Sequence, residues 1–274
     1  QGFETLHLYS ITTLGTKLLS ACGILIFITG PEDAGLVLLI QGLFSLLASA
    51  ILFVAMIIKF KLRLPLVSLE DIYRVCKGAS VYFISRMSNE GLSNTVSFML
   101  GLKLGPESLS IFYSAERFYR AGHLMLTPIT QSLYPYMTRV KNVKFFMAIF
   151  GPIILAASFG IGISFMFIDH ILFVLFDSLA GQISELYKIF MLALWLGAIG
   201  TLIGFPFLGA LGHIREANVS IVYGAFMGFV VLLVVYLFSD HVEYFVLPLI
   251  VFEAVTLFFR AYFIRKNRVG VAPQ

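Results

Sequence analysis

The sequence predicts an all-α polytopic membrane protein, a helical bundle of about eight transmembrane spans. Three observations predict it. Hydrophobic residues fill 59% of the 274 positions and charged residues only 12%, against about 25% charged in a soluble domain. The mean hydropathy is +0.94. The apolar residues also gather in runs of roughly 20, the length an α-helix needs to cross a hydrocarbon core.

In chain order the runs are Leu8–Ile28, Gly35–Ile58, Gly78–Leu100, Leu109–Met137, Phe145–Ile168, Tyr187–Leu211, Val219–Phe238 and Tyr244–Ile264. The third and fourth are the least apolar, because charges are embedded in them. The stretch Ile171–Phe176 is too short to cross and is expected in the interface. Pro128 and Pro135, late in the fourth run, and Pro206, late in the sixth, each remove a helix hydrogen bond and invite a kink. The connections are too short for an extramembrane domain, and the longest basic one, Lys59–Lys77, is the expected hinge between the first two spans and the other six. The chain opens on Gln1 with no visible signal peptide, and it is expected to be the later part of a longer protein.

Loop charge predicts orientation. One set of connections holds Lys59, Lys61, Arg63, Arg74, Lys77, Arg139, Lys141, Lys144, Arg215, Arg260, Arg265, Lys266 and Arg268. The opposite set holds Lys103 alone among basic residues, with Glu32, Asp33, Glu107, Asp169, Asp177, Glu185, Asp240 and Glu243. Thirteen against one places the basic side, and both ends of this segment, in the cytoplasm. Tyr73, Tyr134, Tyr136, Tyr187, Tyr244 and Tyr262 fall near the expected span ends, as interfacial anchors do. The pI near 9.0 raises nucleic acid as a partner. The basic residues form no continuous stripe, however, and no nucleic-acid partner is expected. Cys22 and Cys76 fit neither a disulfide framework nor a zinc site, and no cofactor is indicated.

The informative residues are the charges inside the third and fourth runs. Arg86, Glu90, Asn94 and Ser97 recur at spacings of four, four and three, one polar stripe on a helix. Glu116, Arg120 and His123 repeat that spacing, with Arg117 beside them. At 1.5 Å per residue, Arg86 lies roughly 12 Å and Glu90 roughly 18 Å from the cytoplasmic side. Glu90 should then stand level with Glu116 and Arg117, and Arg86 with Arg120. Each such charge costs about 2.5–3.5 kcal/mol on insertion scales and marks a wet pathway by default. Two readings fit: a substrate-facing role, or Arg86–Glu90 and Glu116–Arg120 pairs that neutralise each other and lock the bundle. His123 reads as a packed, hydrogen-bonded histidine. Lys17 fits a snorkelling stem or a cavity lining. Glu253 lacks an obvious partner and fits either a protonated core carboxylate or a coupling-ion site. The Asp169–His170 and Asp240–His241 pairs read as solvated polar ends.

Ser85-Arg86, Gly101-Leu-Lys-Leu-Gly105, Phe112-Tyr-Ser-Ala-Glu-Arg117 and Pro128-Ile-Thr-Gln-Ser-Leu-Tyr-Pro135 carry a resemblance over nearly the whole chain. It is to the Wzx-type lipid-linked oligosaccharide flippases of the multidrug/oligosaccharidyl-lipid/polysaccharide (MOP) exporter superfamily. Members commonly have lysine where Arg117 stands. The resemblance implies a twelve-helix, two-lobe transporter of the bacterial inner membrane, with four further spans upstream. Residues 1–63 would be the last two helices of the first lobe, and 64–274 the six-helix second lobe. The implied activity is alternating-access flipping of an undecaprenyl-diphosphate-linked oligosaccharide through a cationic central cavity, not an enzymatic reaction. The implied substrate-binding residues are Arg86, Arg117, Arg120, Lys17 and Asn94, and the ion-coupling candidates are Glu90, Glu116 and Glu253. The implied partners are that lipid-linked glycan, the bilayer and other polysaccharide assembly proteins. Arginine suits a diphosphate through paired, charge-assisted hydrogen bonds. The competing functions are a cation or drug exporter of the same superfamily, which needs unpaired carboxylates, and a membrane-embedded glycan polymerase or ligase, which needs a larger loop than this chain has.

Overall fold

The computed structural model describes residues 6–28, 30, 33–60 and 68–267. Among them every regular element is helical. Helix α1 spans Leu6–Phe27, α2 Ala34–Phe60, α3 Leu69–Val140, α4 Val143–Phe176, α5 Ala180–Leu202, α6 Ile214–Phe238 and α7 Leu247–Lys266. A π-helical turn, Ile203–Gly209, extends α5, and a 3-10 turn, Val242–Val246, leads into α7. The chain divides into two compact units between Ile72 and Tyr73. The boundary expected between residues 63 and 64 lies outside the described residues.

Length and apolarity mark four stretches able to cross a membrane: Gly35–Lys59, Val143–Gly209, Ile214–Phe238 and Val242–Lys266. The second contains both α4 and α5. Helix α1 contributes only the shorter apolar helix Ile11–Phe27, and α3 falls below the mark because of its embedded charges. Side chains such as Leu25, Phe159 and Met166 stand exposed on these helices, which is costly in water and favourable against lipid.

Helix α3 is not one rod. Gly105 (φ 85, ψ 179) takes a backbone conformation open to glycine, and Pro106 starts the next helix where its missing N–H is no loss. In a straight helix Ser93 and Glu116 would lie about 34 Å apart. Here the Ser93 hydroxyl donates to Glu116 Oε1 over 2.8 Å, so the arms 69–104 and 106–140 double back as a hairpin. The connection expected at 101–108 is therefore this break alone. The first arm also starts at Leu69, well before the expected Gly78, and absorbs part of the expected hinge loop.

Two further expectations are corrected. Ile171–Phe176 is the last part of α4 and not a separate interfacial run. Pro128 and Pro135 lie inside the second arm, where no residue leaves helical geometry. The strong departure in the sixth run is at Gly204 (ψ −107), two residues before Pro206.

The second unit is held by one interior surface from several helices. Leu92, Val96 and Leu100 of the first arm meet Phe112 and Ala115 of the second, with Phe190 of α5 and Phe252 of α7. Helix α6 approaches closely through Gly224 and Gly228. A Cβ at Gly228 would fall 3.0 Å from the Pro248 carbonyl, so the pair acts as a small-residue contact face of the kind membrane helices use. Ser85 donates to Asn218 Oδ1 over 2.5 Å, joining the first arm to α6 inside the unit.

Candidate functional site

The α3 hairpin brings two polar stripes together, but only part of each is consumed by pairing. Glu116 is buried, 1% exposed. It accepts hydrogen bonds from Ser93 (2.8 Å) and from Arg120 Nη2 (2.9 Å), and Arg120 also reaches Ser93 over 3.0 Å. Three polar groups thus satisfy one another across the two arms, as a charge withdrawn from water requires. Ser93, not Glu90, stands opposite Glu116. The Glu116–Arg120 pair of the locking reading forms, whereas no ion pair joins Arg86 to Glu90 among the described residues.

Arg86, Glu90 and Arg117 are all exposed, and none has a hydrogen bond or ion pair among the described residues. Arg120 is also exposed: its side chain keeps 46% of its exposure while holding Glu116. Asn94 is exposed and lines a cleft of about 400 Å³ at the hairpin bend, with Ser97, Pro106 and Tyr113. Lys17 is exposed in the first unit. It lines a cleft of about 540 Å³ between α1 and α2 whose other polar walls are Thr13, Thr16, Ser20, Gln41, Ser45 and Ser49. The residues proposed from sequence, Glu253 apart, therefore fall into three groups: the hairpin face, the bend and the cleft of the first unit.

A second polar system lies deep in the second unit, and only Glu253 and His123 of it were singled out in the sequence. Glu253 is not partnerless. The Tyr119 hydroxyl donates to its Oε1 over 3.0 Å, and His123 Nε2 stands 3.6 Å from the same oxygen. Seven residues on, Arg260 is 5% exposed. Its Nε donates to Ser220 Oγ over 3.1 Å, and an Nη donates to the Gly200 carbonyl. Arg260 is thus a core residue and not a loop charge, which leaves twelve basic residues in the set used for orientation. Room for both side chains comes from α5. A Cβ on Gly197 would sit 2.8 Å from the Glu253 carboxyl carbon, and one on Gly204 2.8 Å from the Arg260 guanidinium carbon. Glycines at 197, 200 and 204 face charges spaced seven apart on α7, and that match of spacings was the legible signal.

His123 departs from its expected role, because its Nε2 is buried with no hydrogen-bond partner. Thr256 Oγ1, also on α7, is unpartnered in the same way. Lys103, the lone basic residue of the acidic side, is a structural clamp. Its Nζ donates to the carbonyls of Tyr236 (2.5 Å) and Ser239 (2.7 Å) and pairs with Asp240 over 3.1 Å. A cation there offsets the negative end of the α6 dipole. Asp169 and Asp240 are exposed, as solvated polar ends are expected to be, and each also holds a partner, Ser184 and Lys103. Among the described residues no three of His, Cys, Asp and Glu gather as a metal site would require.

With this geometry in hand, comparison with known proteins gives one match. A family model described as "Polysaccharide biosynthesis protein" matches residues 1–141, just over half of the chain. It covers α1, α2 and the whole charged hairpin. No curated protein and no solved structure matches.

Proposed function

The chain belongs to the polysaccharide biosynthesis protein family, and from that premise we propose that it moves a lipid-linked, anionic glycan across a membrane. The specific reading is a Wzx-type flippase. Its cargo is an undecaprenyl-diphosphate-linked oligosaccharide, its site the bacterial inner membrane, and its framework two lobes of six helices. The eight runs of the sequence supply two helices of one lobe and six of the other. One observation carries the reading: Arg86 and Arg117 are exposed without an acidic partner among the described residues, while the buried Glu116 is already held by Arg120 and Ser93.

The chemistry supports it in a definite way. A diphosphate cannot enter hydrocarbon unpaired, because a desolvated anion without a counter-charge is prohibitively costly. Guanidinium groups that keep their hydrogen-bonding edges free meet that need, and each can grip two phosphate oxygens at once. Arg120 would serve in two roles, fixing Glu116 with one nitrogen and presenting the rest. Asn94 and Lys17 would add neutral and cationic contacts to the headgroup. No covalent step is needed, since the polyprenol tail stays in lipid while the headgroup crosses. Ion exchange through Glu90, Glu116 or Glu253 would supply the driving force.

Two substitutions at one position test this. The full protein is placed in vesicles and flipping of a fluorescent undecaprenyl-diphosphate sugar is followed. Arg86→Ala should lower the rate at least tenfold with unchanged insertion. Arg86→Lys should recover part of it, because charge returns without the fork. An Arg86→Ala protein that flips the glycan at the wild-type rate ends the proposal. If Glu90→Gln instead abolishes export of an organic cation, the drug-exporter reading replaces it.

A further inference from the structure

Glu253 occupies a place that the surrounding helices have cleared for it, yet its hydrogen bonding is incomplete. A carboxylate can accept about four hydrogen bonds. Glu253, 6% exposed, accepts one, from Tyr119. Arg260 on the same helix is turned away to Gly200 and Ser220, so the guanidinium does not hold the carboxylate directly. Facing Oε1 at 3.6 Å is His123 Nε2, in ion-pair range and beyond hydrogen-bond reach, with no other partner. A buried nitrogen with no partner thus confronts a buried carboxylate with only one.

We propose that Glu253 and His123 form a buried proton-binding site, in which one proton enters through His123 and is held between Nε2 and Oε1. Once held, the proton sits on Oε1 and is donated to Nε2, which gives that nitrogen the partner it lacks. The route is built into the imidazole. Its side chain is 26% exposed while Nε2 is sealed, so the accessible surface belongs to the rest of the ring. Water can reach one part of the ring as the nitrogen at the other faces Glu253, the arrangement a proton shuttle needs.

The charges around the site are few. On the second arm of α3 they are the Glu116–Arg120 pair, one to two turns before His123, beside the titratable but neutral Tyr119, which stacks edge-on against His123 with ring centroids 4.7 Å apart. On α7 the charge is Arg260. From α5 the facing positions are Gly197 and Gly200, and from α6 the contributions are Ser220, bonded to Arg260, and Gly224, against Thr256. With Glu253 ionised, Arg260 balances it. Proton uptake therefore leaves a net positive charge, and Tyr119 lies within electrostatic range of both Glu253 and the Glu116–Arg120 pair. The site is thereby linked to the hairpin that bears the exposed arginines. Its use as an energy-coupling element rests on the transport reading; its existence as a proton site does not.

Infrared pH-difference spectra of the full chain in lipid nanodiscs, taken between about pH 4 and about pH 9, test the site directly. Acidification should raise a carboxylic-acid carbonyl band, and one component of it, that of Glu253, should vanish in Glu253→Gln. His123→Gln should shift the midpoint of that component by at least tenfold in proton concentration. Tyr119→Phe deletes one hydroxyl and should also move the midpoint, which keeps the test usable if Glu253→Gln fails to fold. Arg86→Ala should leave the band and its midpoint unchanged while stopping glycan flipping, so the two readings fail separately. A carbonyl band left unchanged by Glu253→Gln overturns the proposal, as does a Glu253 component whose midpoint neither His123→Gln nor Tyr119→Phe moves.

Discussion

The hairpin face and the seam between α5 and α7 invite direct comparison, because each carries arginine and glutamate on helices that the sequence reads as spans. On the hairpin, Arg86, Glu90 and Arg117 are exposed and without partners among the described residues. In the seam, Arg260 and Glu253 are 5% and 6% exposed, and glycines on α5 leave them space. The first arrangement suits groups that must meet something from outside. The second suits groups whose neighbours are permanent. An embedded charge is therefore not one kind of signal, and its meaning depends on whether other helices have been shaped around it.

The comparison can be broken most forcefully at Arg260. Arg260→Ala leaves the Gly200 carbonyl, Ser220 and Glu253 without their buried cation, and removing one member of such a group costs about 3–5 kcal/mol. Unfolding by denaturant in detergent micelles should show that loss. A cost no larger than that of Arg86→Ala would erase the distinction. Next comes Gly204→Ala, whose Cβ would stand 2.8 Å from the Arg260 guanidinium carbon. Overpacking of that kind costs about 1–3 kcal/mol. Gly91→Ala on the hairpin meets nothing within 4 Å and should be neutral or stabilising through helix propensity. The two alanine variants, measured side by side by thermal unfolding, sharpen the contrast.

Smaller effects follow. Lys103→Met removes two carbonyl bonds and the Asp240 pair, for a loss of about 1–2 kcal/mol. Hydrogen exchange should then quicken at the C-terminal turn of α6 before it does elsewhere. Arg86→Ala should change stability by no more than about 0.5 kcal/mol while transport falls. A large loss of stability there would turn the hairpin face into another sealed seam.

Much of the fold was legible. The α4, α6 and α7 helices lie where long apolar runs place them, and Gly105-Pro106 turns the chain between the third and fourth runs. Limits came from local signals with non-local causes. Arg260 was read as a loop residue because Arg265 and Lys266 follow it closely, yet its partners Gly200 and Ser220 lie 60 and 40 residues away. Glu253 looked alone because Tyr119 is 134 residues distant. The prolines misled in the opposite sense: Pro128 and Pro135 sit in helical geometry, whereas Gly105 and Gly204 mark the actual breaks. The hairpin face was more readable, since i,i+4 spacing lies within a single helix. Even there, the opposition of Ser93 to Glu116 depended on how tightly Gly105 turns.

The glycine-lined seam also governs which changes the protein can accept. At Gly197 or Gly204 an added methyl collides with a charged side chain of α7, and a longer group in place of Glu253 would collide with α5. A side chain of α7 has to shrink first, because growth at these positions of α5 is costly as a single step. Paired replacements, such as Glu253→Asp together with Gly197→Ala, allow that growth. Engineering of this chain therefore has to treat α5 and α7 as one mutable unit.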